Sequence, residues 1–75
     1  MDIQEVGRRI KARRAALGLT QPELASRMGT ENNAGYISEV ENGKRDLSIT
    51  KLGRFATALE CNAADFLSDE LMNLS

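Results

Sequence analysis

The run Leu17-Gly18-Leu19-Thr20-Gln21-Pro22-Glu23-Leu24, a helix stop followed at once by a helix start, restricts the fold of this chain more than any other feature. Gly18 suits the left-handed conformation that closes a helix, because it has no Cβ to clash there. Thr20 and Glu23 then have the spacing of a capping box, in which the hydroxyl accepts from the Glu23 amide and the carboxylate reaches back to the Thr20 amide. Pro22 falls in the first turn, where a missing N–H costs little, and Leu19 and Leu24 stand at the positions of a hydrophobic staple. Two helices joined by a tight turn follow from this short stretch.

Apolar spacing extends the pattern in both directions. Val6, Ile10 and Leu17 recur at helical intervals and predict a first helix from about Ile3 to Leu17, with Arg8, Arg9, Lys11 and Arg13 on its other faces. The second helix reaches about Met28. Asn33 is a good N-cap for a third helix from Ala34 to about Glu41, with Ile37 and Val40 facing inward and Asn42-Gly43 closing it. After the loop Lys44-Arg45-Asp46-Leu47, Ser48 caps a fourth helix whose Ile49, Leu52, Phe55, Ala56 and Leu59 form one apolar face. Asn62 and Asp65 form a weaker box that opens a short fifth helix containing Phe66 and Leu67. With 75 residues and neither repeat nor linker, one all-α domain of five helices is expected over 1–75, its core at about 3–68 and a tail at 69–75.

Composition removes several function classes. There is no His, so Ser/His and Cys/His nucleophile pairs are impossible, and one Cys among scattered carboxylates has no metal-ligand spacing. An enzyme is not expected, nor any cofactor or small-molecule ligand. Cys61 cannot form an internal disulfide and is expected to pack in the core. No apolar run approaches the ~20 residues that span a bilayer, and no signal peptide opens the chain, so a cytoplasmic protein without membrane contact is expected. Net charge is only −1, but it is unevenly spread: residues 1–59 hold all ten Lys and Arg against seven acids, whereas four acids and no base follow from Glu60. Such polarity suits a protein with one face toward phosphate, although solvated helix faces give the same count.

The segment Gly18-Leu19-Thr20-Gln21-Pro22-Glu23-Leu24-Ala25, followed by Tyr36-Ile37-Ser38-Glu39-Val40-Glu41-Asn42-Gly43-Lys44-Arg45, resembles the Cro/C1-type, or XRE, helix-turn-helix family of phage repressors and bacterial regulators. Val6-Gly7, Ile10 and Arg14 upstream and Leu52, Phe55-Ala56 and Ala58-Leu59 downstream extend the resemblance over almost the whole chain. It implies a compact, lambda-repressor-like domain in which helices two and three form the motif and helix three enters the major groove of double-stranded DNA. It further implies that Asn33, Ala34, Gly35, Ser38 and Glu39 face base edges or lie beside them, and that Thr20, Gln21, Asn42, Lys44 and Arg45 grip phosphate. Arg14 and Glu41 match a pair that bridges helix one to the end of helix three.

Base readout departs from the family. Ala34 and Gly35 have no side chain for a bidentate base contact, and Glu39 can either accept from cytosine N4, repel phosphate or simply solvate the helix. Thr30 to Gly35 make a longer turn than the family usually has, so Glu31, Asn32 and Asn33 form either a polar knuckle near the groove or an inert loop. Leu47 and Glu60 replace a frequent Pro and a frequent Gly of the family. A domain this small commonly gains affinity as a two-fold dimer on two half-sites. Phe66, Leu67, Leu71, Met72 and Leu74 are accordingly expected to supply a homodimer interface, unless Phe66 and Leu67 instead complete the monomer core. The expected function is a transcriptional regulator, more specifically a dimeric repressor; the alternative is an antitoxin or protein-binding adaptor whose DNA binding is autoregulatory.

Overall fold

The computed structural model describes residues 2–29 and 33–67. Four helices, α1 (Ile3–Ala16), α2 (Gln21–Met28), α3 (Ala34–Glu41) and α4 (Ile49–Ala58), are followed by a single 3-10 turn, Ala63–Phe66. The expected fifth helix is thus one tight turn. Of its box, the Asp65 carboxylate accepts from the Asn62 amide over 2.9 Å, while the Asp65 amide bonds to the Asn62 carbonyl, and Leu67 is already extended and ends the turn. No strand occurs among the described residues, and none of their helices is long and apolar enough to cross a membrane.

Each helix starts where a side chain can take its unpaired N–H groups. Asp2 accepts from the amides of Gln4 and Glu5, Thr20 from Glu23, Asn33 from Tyr36 and Ser48 from Lys51. Three helices stop in the same way. Behind α1, Gly18 has φ 71° and donates to Ala15 O, while Leu19 donates to Arg14 O over 3.0 Å. Gly43 and Lys44 repeat this Schellman closure behind α3, and Glu60 and Cys61 repeat it behind α4. Glu60 takes the left-handed position with φ 60°, an unfavourable one for a residue with a Cβ. Arg27 ties it there by donating to both Ala58 O and the Glu60 carboxylate at 3.0 Å.

The four helices enclose a core of Val6 and Ile10 from α1, Leu24 and Ala25 from α2, Ile37 and Val40 from α3, and Leu52, Phe55 and Ala56 from α4. Leu47, Leu59 and Phe66 complete it from the loops and the final turn. Ile49, expected on the buried face of α4, is 74% exposed. It is the first helical residue and lies beyond the end of the core. Leu47, one position before the Ser48 cap, is buried instead and stands in staple register with Leu52. Cys61 is only half-buried, and burial raises its thiol pKa, which disfavours the reactive thiolate.

The capping box of α2 supplies a pH test. The Thr20 N–H donates to Glu23 Oε1 over 2.8 Å and holds that carboxyl below its ordinary value. A depressed carboxylate contributes stability that is complete above its unfolded pKa, about 4.3, and is lost as pH falls through the lower folded value. Glu23→Gln keeps an acceptor but removes the titration. The variant is expected to be slightly less stable than wild type at neutral pH and to close that gap in acid. Urea denaturation of both proteins from neutral to acid pH checks this, and parallel curves would contradict it.

Candidate nucleic-acid interface

α3 is a short rod of about 12 Å by helical rise, and only one of its sides is free. Ile37, Val40 and Glu41 are buried against α1 and α2. Asn33 and Gly35 are exposed, and Ala34, Ser38 and Glu39 are half-exposed. The loop behind α3 continues this surface with exposed Asn42, Lys44 and Arg45. Of the residues expected to grip phosphate, Asn42 and Arg45 therefore touch the residues expected to face bases, Ser38 and Glu39, and Lys44 lies between them in the loop.

Several of these side chains already have work within the chain. Asn33 Oδ1 accepts from the Tyr36 amide over 2.9 Å, which leaves its amide nitrogen for another partner. A Cβ on Gly35 would come within 3.2 Å of that same Oδ1, so the glycine leaves room for the cap. Asn42 Nδ2 donates to Ser38 Oγ over 3.4 Å. The half-exposed Glu39 pairs with Arg45 at 3.4 Å, and its carbonyl accepts from the Lys44 amide over 2.9 Å. Lys44 meets no carboxylate among the described residues.

Behind the surface sits a polar knot. Arg14 donates through Nε to Glu41 Oε2 at 2.6 Å, through Nη2 to Glu41 Oε1 at 3.0 Å, and through Nη1 to Leu19 O at 2.7 Å. Gln21 Nε2 adds a third donor to Glu41 at 3.0 Å. Glu41 is 5% exposed, and its hydrogen bond raises the pKa of Arg14. This knot joins α1, the turn after it, the start of α2 and the end of α3. It also changes the expected role of Gln21, whose side-chain donor points inward. Of the amides at the start of α2, those of Thr20 and Glu23 serve the capping box and Pro22 has none. The Gln21 amide is the donor the box leaves for an anion.

Tyr36 was missed by sequence reasoning. Its ring stacks on buried Phe55 with centroids 6.2 Å apart, and the Arg45 guanidinium and Lys51 ammonium each lie 5.7 Å from its centroid. Burial raises its hydroxyl pKa. A lone aromatic beside Ile37 with Arg45 downstream was the available signal. Arg13 and Arg27 were missed as well: they bind the carbonyls that end α4, Arg13 reaching Leu59 O at 2.9 Å. Arg8 and Arg9 pair with Glu5.

Phe66, expected at a dimer surface, is 1% exposed in the core and offers no such surface; Leu67 packs half-buried beside it. The other residues expected there, Leu71, Met72 and Leu74, lie outside the described residues, as do Glu31 and Asn32 of the long turn.

A helix-turn-helix family model matches residues 10–66, which takes in the knot, the exposed side of α3 and the loop behind it. The chain belongs to the XRE-type helix-turn-helix family of DNA-binding regulators. Within this family it is similar to the restriction-modification controller protein C.AhdI from Aeromonas hydrophila. The two are 32% identical with a TM-score of 0.80, over 88% of this chain and 93% of that one. It is also similar to the clp gene regulator ClgR from Corynebacterium glutamicum, at 28% identity and a TM-score of 0.82 over 99% of this chain and 77% of that one. No curated protein sequence matches the chain.

Proposed function

We propose that this helix-turn-helix regulator is a cytoplasmic repressor that binds as a homodimer to double-stranded DNA, with α3 in the major groove of each half-site. The observation that carries this reading is the continuity of one exposed surface, from Asn33 and Gly35 through Ser38 and Glu39 to Lys44 and Arg45, on a helix whose other side is fully packed. A short rod of this diameter fits the major groove, and cations at its end meet the sugar-phosphate backbone. Gly35 and Ala34 allow the α3 backbone a close approach to the base edges. Ser38 and Glu39 then supply the polar groups that discriminate bases, and Lys44 and the Gln21 amide hold phosphate. A two-fold pair of such modules would read half-sites about one helical turn apart.

Selection from a random pool of duplexes, repeated at two salt concentrations, tests the reading. The expected product is a two-fold symmetric site, with sedimentation showing two protein chains per duplex. Lys44→Ala is expected to weaken binding to every duplex alike and to lower the salt slope by about 1.8, one phosphate contact on each of the two chains. Glu39→Ala is expected to change sequence preference. A pool that emerges without a common sequence would defeat the proposal.

A further inference from the structure

Resting on that reading of α3, we propose that Arg45 is a positioning residue for base readout: it holds the Glu39 carboxylate in the groove, where Glu39 accepts a hydrogen bond from a cytosine amino group.

Arg45 is anchored at both ends. The Schellman closure behind α3 fixes where the loop begins, because the amides of Gly43 and Lys44 bond to Val40 O at 3.1 Å and Glu39 O at 2.9 Å. The guanidinium then lies 5.7 Å from the Tyr36 ring centroid, and that ring is stacked on Phe55, which has 0% exposure. From there Arg45 Nη2 reaches Glu39 Oε1 at 3.4 Å. A continuous series of contacts therefore runs from the core, through Tyr36 and Arg45, to the carboxylate on the exposed side of α3.

Glu39 needs such support. An isolated carboxylate between two rows of phosphates is repelled, and a mobile one satisfies a base poorly. Arg45 offsets the charge and restricts the rotamer together. A planar guanidinium can lie over a ring while its edge faces a carboxylate, whereas a lysine ammonium is a single point charge on a flexible stem. Both side chains are about half exposed, at 53% for Arg45 and 47% for Glu39, so the pair itself adds little to folding. Its effect belongs in discrimination. Lys51, the second cation on the Tyr36 ring, stays beside the platform and pairs with no carboxylate among the described residues.

The test uses the selected operator and a copy altered at the base pair whose preference Glu39→Ala changes most. Wild type, Arg45→Ala, Arg45→Lys, Glu39→Ala and the Arg45→Ala/Glu39→Ala double variant are titrated on both duplexes at two salt concentrations. Arg45→Ala and Arg45→Lys should each lose about tenfold in discrimination, the order expected for one base contact. Arg45→Lys should nevertheless keep the wild-type salt slope. In the Glu39→Ala background, removing Arg45 should cause no further loss of discrimination. The proposal is overturned if Arg45→Lys discriminates like wild type while Arg45→Ala weakens both duplexes equally, which would make Arg45 a phosphate contact. It is also overturned if Glu39→Ala leaves the selected sequence unchanged, although the regulator reading survives that result. Failure of wild type to select any sequence removes both.

Discussion

Gly7→Ala is expected to cost about 3 kcal/mol of folding stability, at the upper end for an overpacked core, and to lower the melting temperature by roughly 15 °C. A Cβ on residue 7 would sit 2.3 Å from the carbonyl oxygen of Val40 and 2.8 Å from that of Glu41. Both are backbone atoms of α3, so no side chain can swing away. α1 would have to withdraw from α3 as a body, which opens the contacts of Val6 and Ile10 and stretches the Arg14–Glu41 bridge. Total stability for a chain of this size is of the order of 5 kcal/mol, so most of it would go. Gly53→Ala is the control: its Cβ would meet nothing within 4 Å, and replacing a helical glycine should stabilise by about 0.5–1 kcal/mol. Thermal unfolding followed by helicity measures both variants. A Gly7→Ala protein that melts within a few degrees of wild type would show that the two helices do not need their present spacing.

The starts of α2, α3 and α4 and the ends of α1 and α3 were legible in the sequence because capping is local. Thr20, Asn33 and Ser48 each find their acceptor role within three residues, and Gly18 and Gly43 have the conformational freedom their closures need. Legibility fell where the answer depends on distance along an axis. Periodicity correctly assigns Leu52, Phe55 and Ala56 to one side of α4, but it does not say where the core ends, and Ile49 lies past that end. The final turn fails for a related reason. A capping box fixes one turn, and four residues closing on an extended Leu67 do not propagate a helix.

The candidate site was legible as a surface and less so as a set of available side chains. Charge counting treats ten cations as equivalent, yet long-range packing allots them unequally. Arg13 and Arg27 are turned to carbonyls 46 and 31 residues away that have no local sequence signature. Arg14 is turned to Glu41, a partner that the family resemblance implied and the spacing of the residues alone did not. The cations left near α3 are chiefly Lys44, Arg45 and Lys51, so the excess of base over acid in residues 1–59 overstates what can meet phosphate. Gln21 teaches the same lesson: its position in a first turn was plain, but the buried carboxylate that draws its amide inward is contributed by the end of another helix.

That carboxylate sets the second large effect. Replacing Arg14 by Met leaves Glu41, with its side chain 1% exposed, facing a single amide donor from Gln21. Breaking a buried pair from one side costs about 3–5 kcal/mol, because the remaining charge has lost its partner but not regained water. Glu41→Gln should cost less than Arg14→Met, since arginine is long enough to find solvent and its side chain is already 13% exposed. Removing both charges should be milder than the sum of the single losses, with a coupling of about 2 kcal/mol in the double-mutant cycle. DNA binding adds a second readout. The knot fixes the end of α3 and, through Asn42 and Gly43, the loop that presents Lys44 and Arg45. Variants that remain folded at low temperature should therefore bind the selected operator more weakly than Lys44→Ala does, although neither Arg14 nor Glu41 touches DNA. Urea denaturation and operator titration on the same four proteins measure the two quantities separately. Additive stabilities would mean that the two charges fold independently, and unchanged operator affinity in a folded Arg14→Met protein would mean that α3 keeps its orientation without them.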